Sequence, residues 1–344
     1  MTPFPKIINL ESAFRGLSPA EKFDLYRKFW RQAERYEILT SFPLHLDIEV
    51  CGVCNLKCEF CFQNDMIEHA LGLMDFDLFK KIIDEGAAKG LCAVKLQIRG
   101  ESFLHPGLFE FIKYAKLRGI LDVQITTNGT RLDQKRIDEI LTSGLDLIIF
   151  SVDSHHGESF RNRNKKKTYS GIEEAIQRLL EERRNRGFML PKIRLQASLP
   201  DPTTDELRKT ESYLRSKFPL ADIVVVHRIH DFRENVDGYP DLHVNYDMNP
   251  CEYVMQRLAI FWDGRVTTCC FDYNARFAMG NSKTESVADI WNSEKMNDFR
   301  RQHLRGERKE MDICKHCIVS IVKKRTRDVK VVDLEKSESR TQAI

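Results

Sequence analysis

Ten cysteines are distributed unevenly along the 344 residues. Cys51, Cys54, Cys58 and Cys61 lie within one short stretch, Cys92 stands apart, and Cys251, Cys269, Cys270, Cys314 and Cys317 fall near the end. In CNLKCEFC, the thiols of Cys54, Cys58 and Cys61 are spaced C-x3-C-x2-C directly after an alternating, strand-like run. Iron–sulfur clusters are normally held by four thiolates. Three in one tight loop would hold three irons of a four-iron cube and leave the fourth open, as catalytic metal sites keep an open position. Cys51–Cys54 and Cys58–Cys61 also form two C-x2-C pairs, which is the zinc-knuckle reading. Zinc pairs are generally separated by about a dozen residues or more, and only three lie between these. Cys51 reads as a buried thiol at the strand end.

The later group has a different layout. Cys251 precedes a hairpin, RLAIFWDGRVTTCC, with Asp263-Gly264 at its turn. Cys269 and Cys270 end that hairpin, and Cys314-Lys315-His316-Cys317 closes the set. Two ligands from a hairpin and two from a C-x2-C loop make a four-thiolate site, suited to a structural zinc or to an iron–sulfur cube.

The first motif resembles that of the radical S-adenosylmethionine (SAM) superfamily, with Phe60 at the aromatic position of C-x3-C-x-aromatic-C. Further segments follow in the family's order over roughly residues 45–230. QIRGESFLHP is similar to the Gly-Gly-Glu-Pro segment, with Gly100 and Glu101 in place and Arg99 and Ser102 departing from the pattern. TTNGT supplies Asn128, and SVD supplies Ser151 and Asp153. The resemblance implies that the open iron chelates SAM and that reduction cleaves it to a 5′-deoxyadenosyl radical. It places Gly100 and Glu101 near the SAM amino group, Asn128 near its carboxylate or ribose, and Ser151 and Asp153 near the ribose hydroxyls. The C-terminal pattern C-x12-G-x4-CC-x-D, then GNSKTESVADIW, then C-x2-C resembles the SPASM or "twitch" extension of these enzymes. That implies one auxiliary four-iron cluster on Cys251, Cys269, Cys314 and Cys317. Cys270 is left as a bystander, an alternative ligand or a hydrogen donor.

Full thiolate ligation would leave no iron of the second cluster for substrate, so its expected role is electron transfer. The spacing resembles that of single-auxiliary-cluster dehydrogenases that oxidise a hydroxyl of an aminocyclitol. The expected substrate is a small polar molecule of sugar or cyclitol type, with a flavodoxin- or ferredoxin-type electron donor. Three alternatives stand beside this. One is an epimerase in which Cys92, Cys270 or Cys51 returns hydrogen, and another is a peptide maturase. From a different class, the chain would be a non-catalytic zinc-binding protein.

These groups need a scaffold. Strand-like runs near 46–50, 93–98, 121–127, 146–153, 192–198 and 222–229 alternate with helical ones near 75–88, 107–117, 133–142, 172–186 and 204–216, the order of parallel α/β structure. The expected fold is an α/β partial (β/α)6 TIM-like barrel with a small C-terminal cluster-binding domain. Along the strands Leu46, Ile48, Val50, Val94, Leu96 and Ile98 alternate with Asp47, Glu49, Lys95 and Gln97, and the same holds for Ile193, Leu195 and Ala197 against Arg194, Gln196 and Ser198. In a barrel the apolar face meets the helices and the polar face points inward, whereas an open sheet with one wet face would show the same alternation. Inward candidates for a base or for substrate binding are Glu49, Lys95, Arg194, Arg228 and His230, each weighed against a structural ion pair. Domain boundaries are expected at 1–44 (a helical extension, with Phe23, Leu25, Tyr26, Phe29 and Trp30 at helical spacing), 45–240, 241–325 and 326–344, the last a charged tail.

Composition excludes little more. Apolar residues make up 42% of the chain, and 54 Lys and Arg face 51 Asp and Glu, a net charge of +3 that gives no reason to expect a nucleic-acid partner. No membrane span is expected, and the start lacks a basic and then apolar leader, so a cytoplasmic protein with reduced thiols is expected. His155, His156 and the run RNRNKKK (161–167) read as a solvated loop or as a cover over the barrel mouth that meets an anionic substrate.

Overall fold

The computed structural model describes residues 4–58, 61–66, 71–152, 165–199, 202–228, 250–315 and 317. The readings placed on Phe60, Asp153, His155, His156, residues 161–167, the side chain of Arg228, His230 and the charged tail lie outside the described residues or side chains. Among the described residues no helix is long and apolar enough to cross a membrane.

The N-terminal extension is more than a helix. Strand β1 (Lys6–Ile8) pairs in parallel with β2 (Ile38–Thr40), and between them run α1 (Leu10–Ala13) and α2 (Pro19–Glu34). Helix α2 starts at a capping box between Ser18 and Glu21, with Pro19 at the first helical position, where its missing N–H costs nothing. Tyr26, Phe29 and Ala33 are buried, while Phe23 stays 41% exposed, so the buried stripe is narrower than the sequence suggests.

Six parallel strands then stand side by side in chain order: β3 (His45–Ile48), β4 (Ala93–Lys95), β5 (Asp122–Thr127), β6 (Leu147–Ser151), β7 (Lys192–Leu199) and β8 (Ile223–Arg228). They are joined through α3 (Phe76–Lys89), α4 (Leu108–Leu117), α5 (Gln134–Thr142), α6 (Lys165–Asn185) and α7 (Thr204–Lys217). Local chemistry sets the helix ends. Asp75 and Asp133 accept first-turn amides of α3 and α5, Thr203 and Glu206 form a capping box on α7, and Gly90 takes the left-handed conformation that ends α3. Leu46, Ile48, Val94, Val123, Ile125, Ile193, Leu195 and Ala197 all enter one core with the helices, as the alternation predicts. The opposite face is the barrel interior. Its polar arc comes from β3, β4, β5 and β7. By register Leu147, Ile149 and Val225 fall on the same face, so the apolar runs of β6 and β8 build one greasy wall into an otherwise polar lumen.

The C-terminal unit is α8 (Tyr253–Gln256), β9 (Arg257–Ile260), β10 (Arg265–Thr267), β11 (Ala278–Asn281), α9 (Val287–Asn292) and α10 (Glu294–Leu304). Its hairpin does not stand apart: β9 pairs in parallel with β3, giving one nine-stranded sheet. Two further contacts fasten it. Glu85 of α3 accepts the Val287 and Ala288 amides at 2.9 and 2.8 Å, placing a carboxylate at the N-terminus of α9 where the helix dipole favours it. Trp291, fully buried, donates to the Thr40 carbonyl at 2.7 Å.

Candidate functional site

The loop after β3 is held by backbone before any cofactor is considered. Gly52 and Met74 amides bond across to Gly72 and Val50 carbonyls, and the Glu101 amide donates to Val53 at 2.9 Å. At Gly100 a Cβ would lie 2.2 Å from the Cys51 carbonyl oxygen and 2.6 Å from that of Val53. Only glycine permits this approach, so the family's glycine is required here by the cysteine loop itself. Glu101 clips the next loop: its carboxylate accepts from Thr127 Oγ1 at 2.8 Å and from the Asn128 and Phe103 amides at 2.7 and 3.1 Å. Burial raises its pKa against these bonds. Asn128 in turn donates to Asn55 at 3.0 Å, inside the cysteine loop, with its Nδ2 also 4.0 Å from Cys54 Sγ. Ser151 ends β6 half-buried, in register with Gln196 on the interior face.

Cys54, Cys58 and Cys61 are half-buried, and the Cys61 amide closes onto the Cys58 carbonyl at 3.0 Å. Burial raises the Cys54 pKa, and the neighbouring Glu101 and Cys61 raise it further. Cys51 is buried, donates to Val53 and is pushed up to about 11, chiefly by burial, which suits an inert thiol.

Glu49, read as a possible base, is fully buried and bound by Arg99. The guanidinium donates twice at 2.6 Å, and the Arg99 amide adds a third bond at 3.2 Å. Arg99 also donates to the Tyr273 carbonyl at 3.0 Å and lies over the Phe261 ring at 3.9 Å. Phe62, next to Cys61, stacks on Tyr273 with centroids 4.9 Å apart. Trp262 packs against Gly52 and Gly72: a Cβ at Gly72 would collide with its ring at 2.6 Å, and one at Gly52 would press on it at 3.2 Å. The hairpin that carries the second cysteine group thus abuts the first cysteine loop at several points.

The second group separates the paired cysteines. Burial raises Cys269, and Cys270, Cys251, Cys314 and Cys317 then raise it further; Cys314 is raised by burial, then by Cys251 and Cys317. As thiolates, Cys251, Cys269, Cys314 and Cys317 would repel one another in this poorly solvated setting, and a bound cation or cluster would relieve that repulsion. Cys270 instead packs with Ile98, Ala259 and Phe261, and since Ala259 is in register with Asp47 it lies on the interior face. It is pushed up to about 12, first by burial and then by Asp47, against Lys95 and Arg257. Ile98 belongs to this interior patch and not to the helix-side core, which corrects its expected place. Cys92 is buried in the helix-side core. Asp272 organises the turn: buried, it accepts from Thr267 Oγ1 and from the Arg276 and Phe277 amides at 2.8 and 2.9 Å.

Other interior candidates differ in how they are compensated. Asp47 is held by His45 at 3.3 Å and Arg257 at 3.4 Å; burial would raise its pKa, but Arg257 and His45 hold it below the usual carboxylate range. Arg194 donates to Gln196 at 2.8 Å, and its buried Nε has no partner among the described residues; burial lowers its pKa. Ser198 and His227, paired across β7 and β8, are 3.0 Å apart. His227 was not singled out from sequence, because one histidine in VVVHR carries no motif.

A parallel barrel with a three-cysteine loop at the end of its first strand, extended by a four-cysteine hairpin unit, defines the class. Residues 48–193 match the Radical SAM superfamily and residues 251–318 match the SPASM iron-sulfur cluster-binding domain. The chain belongs to the radical SAM superfamily and is a radical SAM enzyme. It is 26% identical, over a 303-residue alignment covering 74% of this chain and 83% of the relative, to a tungsten-containing aldehyde ferredoxin oxidoreductase cofactor-modifying protein of Pyrococcus furiosus. A probable GTP 3′,8-cyclase of Methanococcus maripaludis is 27% identical over 258 residues, covering 75% and 80% of the two chains. The crystal structure of BtrN in complex with AdoMet and 2-DOIA shares the fold, with a TM-score of 0.52 and 20% identity over 79% of this chain and 92% of that one. The cofactors are SAM and four-iron clusters, and the half-buried thiol triad and the second set of four thiols, of which Cys314 is buried and the others half-buried, fit them in number and chemistry.

Proposed function

We propose that the enzyme oxidises an alcohol of a small polar substrate, of sugar or cyclitol type, with the second cluster as electron acceptor. The supporting observation is that the adjacent cysteines part: Cys270 packs with Ile98, Ala259 and Phe261 on the interior face, which leaves Cys269 to join its neighbours Cys251, Cys314 and Cys317 as a four-thiolate set. Four thiolates leave no open iron, which suits electron transfer. When bound, SAM and the two clusters supply the radical that removes a carbinol hydrogen and the sink for the electron left behind. The chain's own groups do the rest. Lys95 and Arg194 offer donors to hydroxyls or to an anionic group, and the GTP of the cyclase relative is an anion of that kind. The Ser198–His227 pair takes the hydroxyl proton, since Glu49 is committed to Arg99. Loss of one hydrogen atom, one proton and one electron leaves the carbonyl.

A second reading is favoured by one observation: the Cys270 thiol packs on the interior face with Ile98, Ala259 and Phe261, and a thiol there that returned a hydrogen atom would make the reaction an epimerisation. The test is anaerobic turnover of reconstituted enzyme with SAM and dithionite against sugars, cyclitols and their phosphates, following 5′-deoxyadenosine and product. Oxidation predicts a carbonyl product equal in amount to the deoxyadenosine, and full product formation by Cys270→Ala. An isomeric product carrying solvent deuterium, lost in Cys270→Ala, would replace oxidation by epimerisation.

A further inference from the structure

One buried imidazole lies among the ligands of the second site. His303, on α10, is fully buried. Its Nδ1 accepts the backbone amide of Cys251 at 3.2 Å. An amide N–H can only donate, so Nδ1 carries a lone pair and the ring hydrogen of the neutral imidazole sits on Nε2. Nε2 lies 3.6 Å from Cys314 Sγ. The ring therefore joins the backbone of one ligand to the sulfur of another, and it is backed by Phe299 with centroids 5.0 Å apart.

We propose that His303 is a positioning residue of the auxiliary centre, donating an N–H···S hydrogen bond to Cys314 that raises the centre's reduction potential. A hydrogen bond to a ligand sulfur stabilises the more negative, reduced state, and such bonds are among the main determinants of iron–sulfur potentials. The donor is held in one tautomer by the Cys251 amide, as partners beyond the ligand shell commonly fix ligand geometry. The inference rests on the four-thiolate assignment of the second site and is independent of the substrate.

The experiment is an EPR-monitored redox titration of the full-length chain carrying Cys54→Ala, Cys58→Ala and Cys61→Ala, in which only the auxiliary centre remains. The parent is compared with His303→Phe, which keeps a ring but no donor, and His303→Gln, which keeps an N–H. The expected result is a midpoint displaced to more negative potential in His303→Phe, with His303→Gln closer to the parent, all three holding about four irons per chain. Equal midpoints in parent and His303→Phe, or an equal displacement in both variants, would overturn the proposal. If His303→Phe does not retain the cluster, the parent labelled with 15N-histidine and carrying His316→Gln is measured by pulsed EPR. A weak histidine nitrogen coupling to the reduced centre is expected, and its absence, or a coupling of direct-ligand strength, would reject the hydrogen bond. A preparation that binds no iron at this site would instead remove the four-thiolate reading on which the inference stands.

Discussion

Glu49 and Arg99 lie among the least accessible charges in the barrel, with side chains 0% and 2% exposed, and neither is reached by the substrate chemistry proposed here. Arg99 stands where the family's segment carries glycine, and its guanidinium ties the end of β3 to the Tyr273 carbonyl beside the second cysteine group. Breaking a buried pair from one side is costly because the remaining charge has nowhere to go. Arg99→Met is expected to cost about 3–5 kcal/mol, and adding Glu49→Gln is expected to recover more than half, read as thermal unfolding temperatures of anaerobic protein. If the double variant were no more stable than the single one, the pair would not be the source of the loss. From sequence, Glu49 is expected to point inward and a structural ion pair is one of its two readings, but Arg99 cannot be named as the partner, because it is a single residue fifty positions away with no pattern of its own. Cys269 and Cys270 present the same difficulty: adjacent in sequence, they diverge only once β10 is laid against β9.

At the scale of elements, alternation of two residues in the strands and the repeated order of strand and helix made most of the barrel legible. What escaped was pairing between distant segments and elements too short to show a period. Strands β1 and β2 have three residues each. Val287 to Leu304 forms two helices, because Ser293 ends α9 and caps α10 by accepting the Met296 amide at 3.1 Å. The parallel junction of β9 with β3 is the largest omission, since RLAI reads the same whether it ends a separate domain or extends the main sheet. That junction carries a prediction. A chain ending at residue 250 is expected to leave the β3 edge unpaired, and an open, apolar edge associates with other chains. The truncated protein should appear in the insoluble fraction, while the full chain stays in solution. Equal recovery of both would show that the barrel closes without the hairpin.

For the molecule as a whole, buried imidazoles set an acid limit. Burial lowers the His45 pKa despite the neighbouring Asp47, and burial lowers that of His105 despite its bond to the Met74 carbonyl. In the unfolded chain both take up protons as pH falls through the ordinary histidine value of about 6.5, whereas the folded chain resists. The stability they lend is present above that value and drains away below it, by up to about 1.4 kcal/mol per pH unit for each. Unfolding temperatures should be level from about pH 8 to 7 and fall from about 6.5 downward, with a shallower fall in His45→Gln. A flat profile to about pH 5.5 would exclude this account.

The pairing of His45 with Arg257 also sets a clock on biosynthesis. A ribosome adding about 5–20 residues per second delivers the β3 loop and its three thiols roughly 10–40 s before the strand that will flank it. For that interval the nascent barrel has an unfinished side beside its most oxidisable loop. Cluster insertion that waits for the hairpin would find the loop already braced by Trp262 and by the Phe62–Tyr273 stack, so the last-made part of the chain governs when the first-made site becomes fit to be filled.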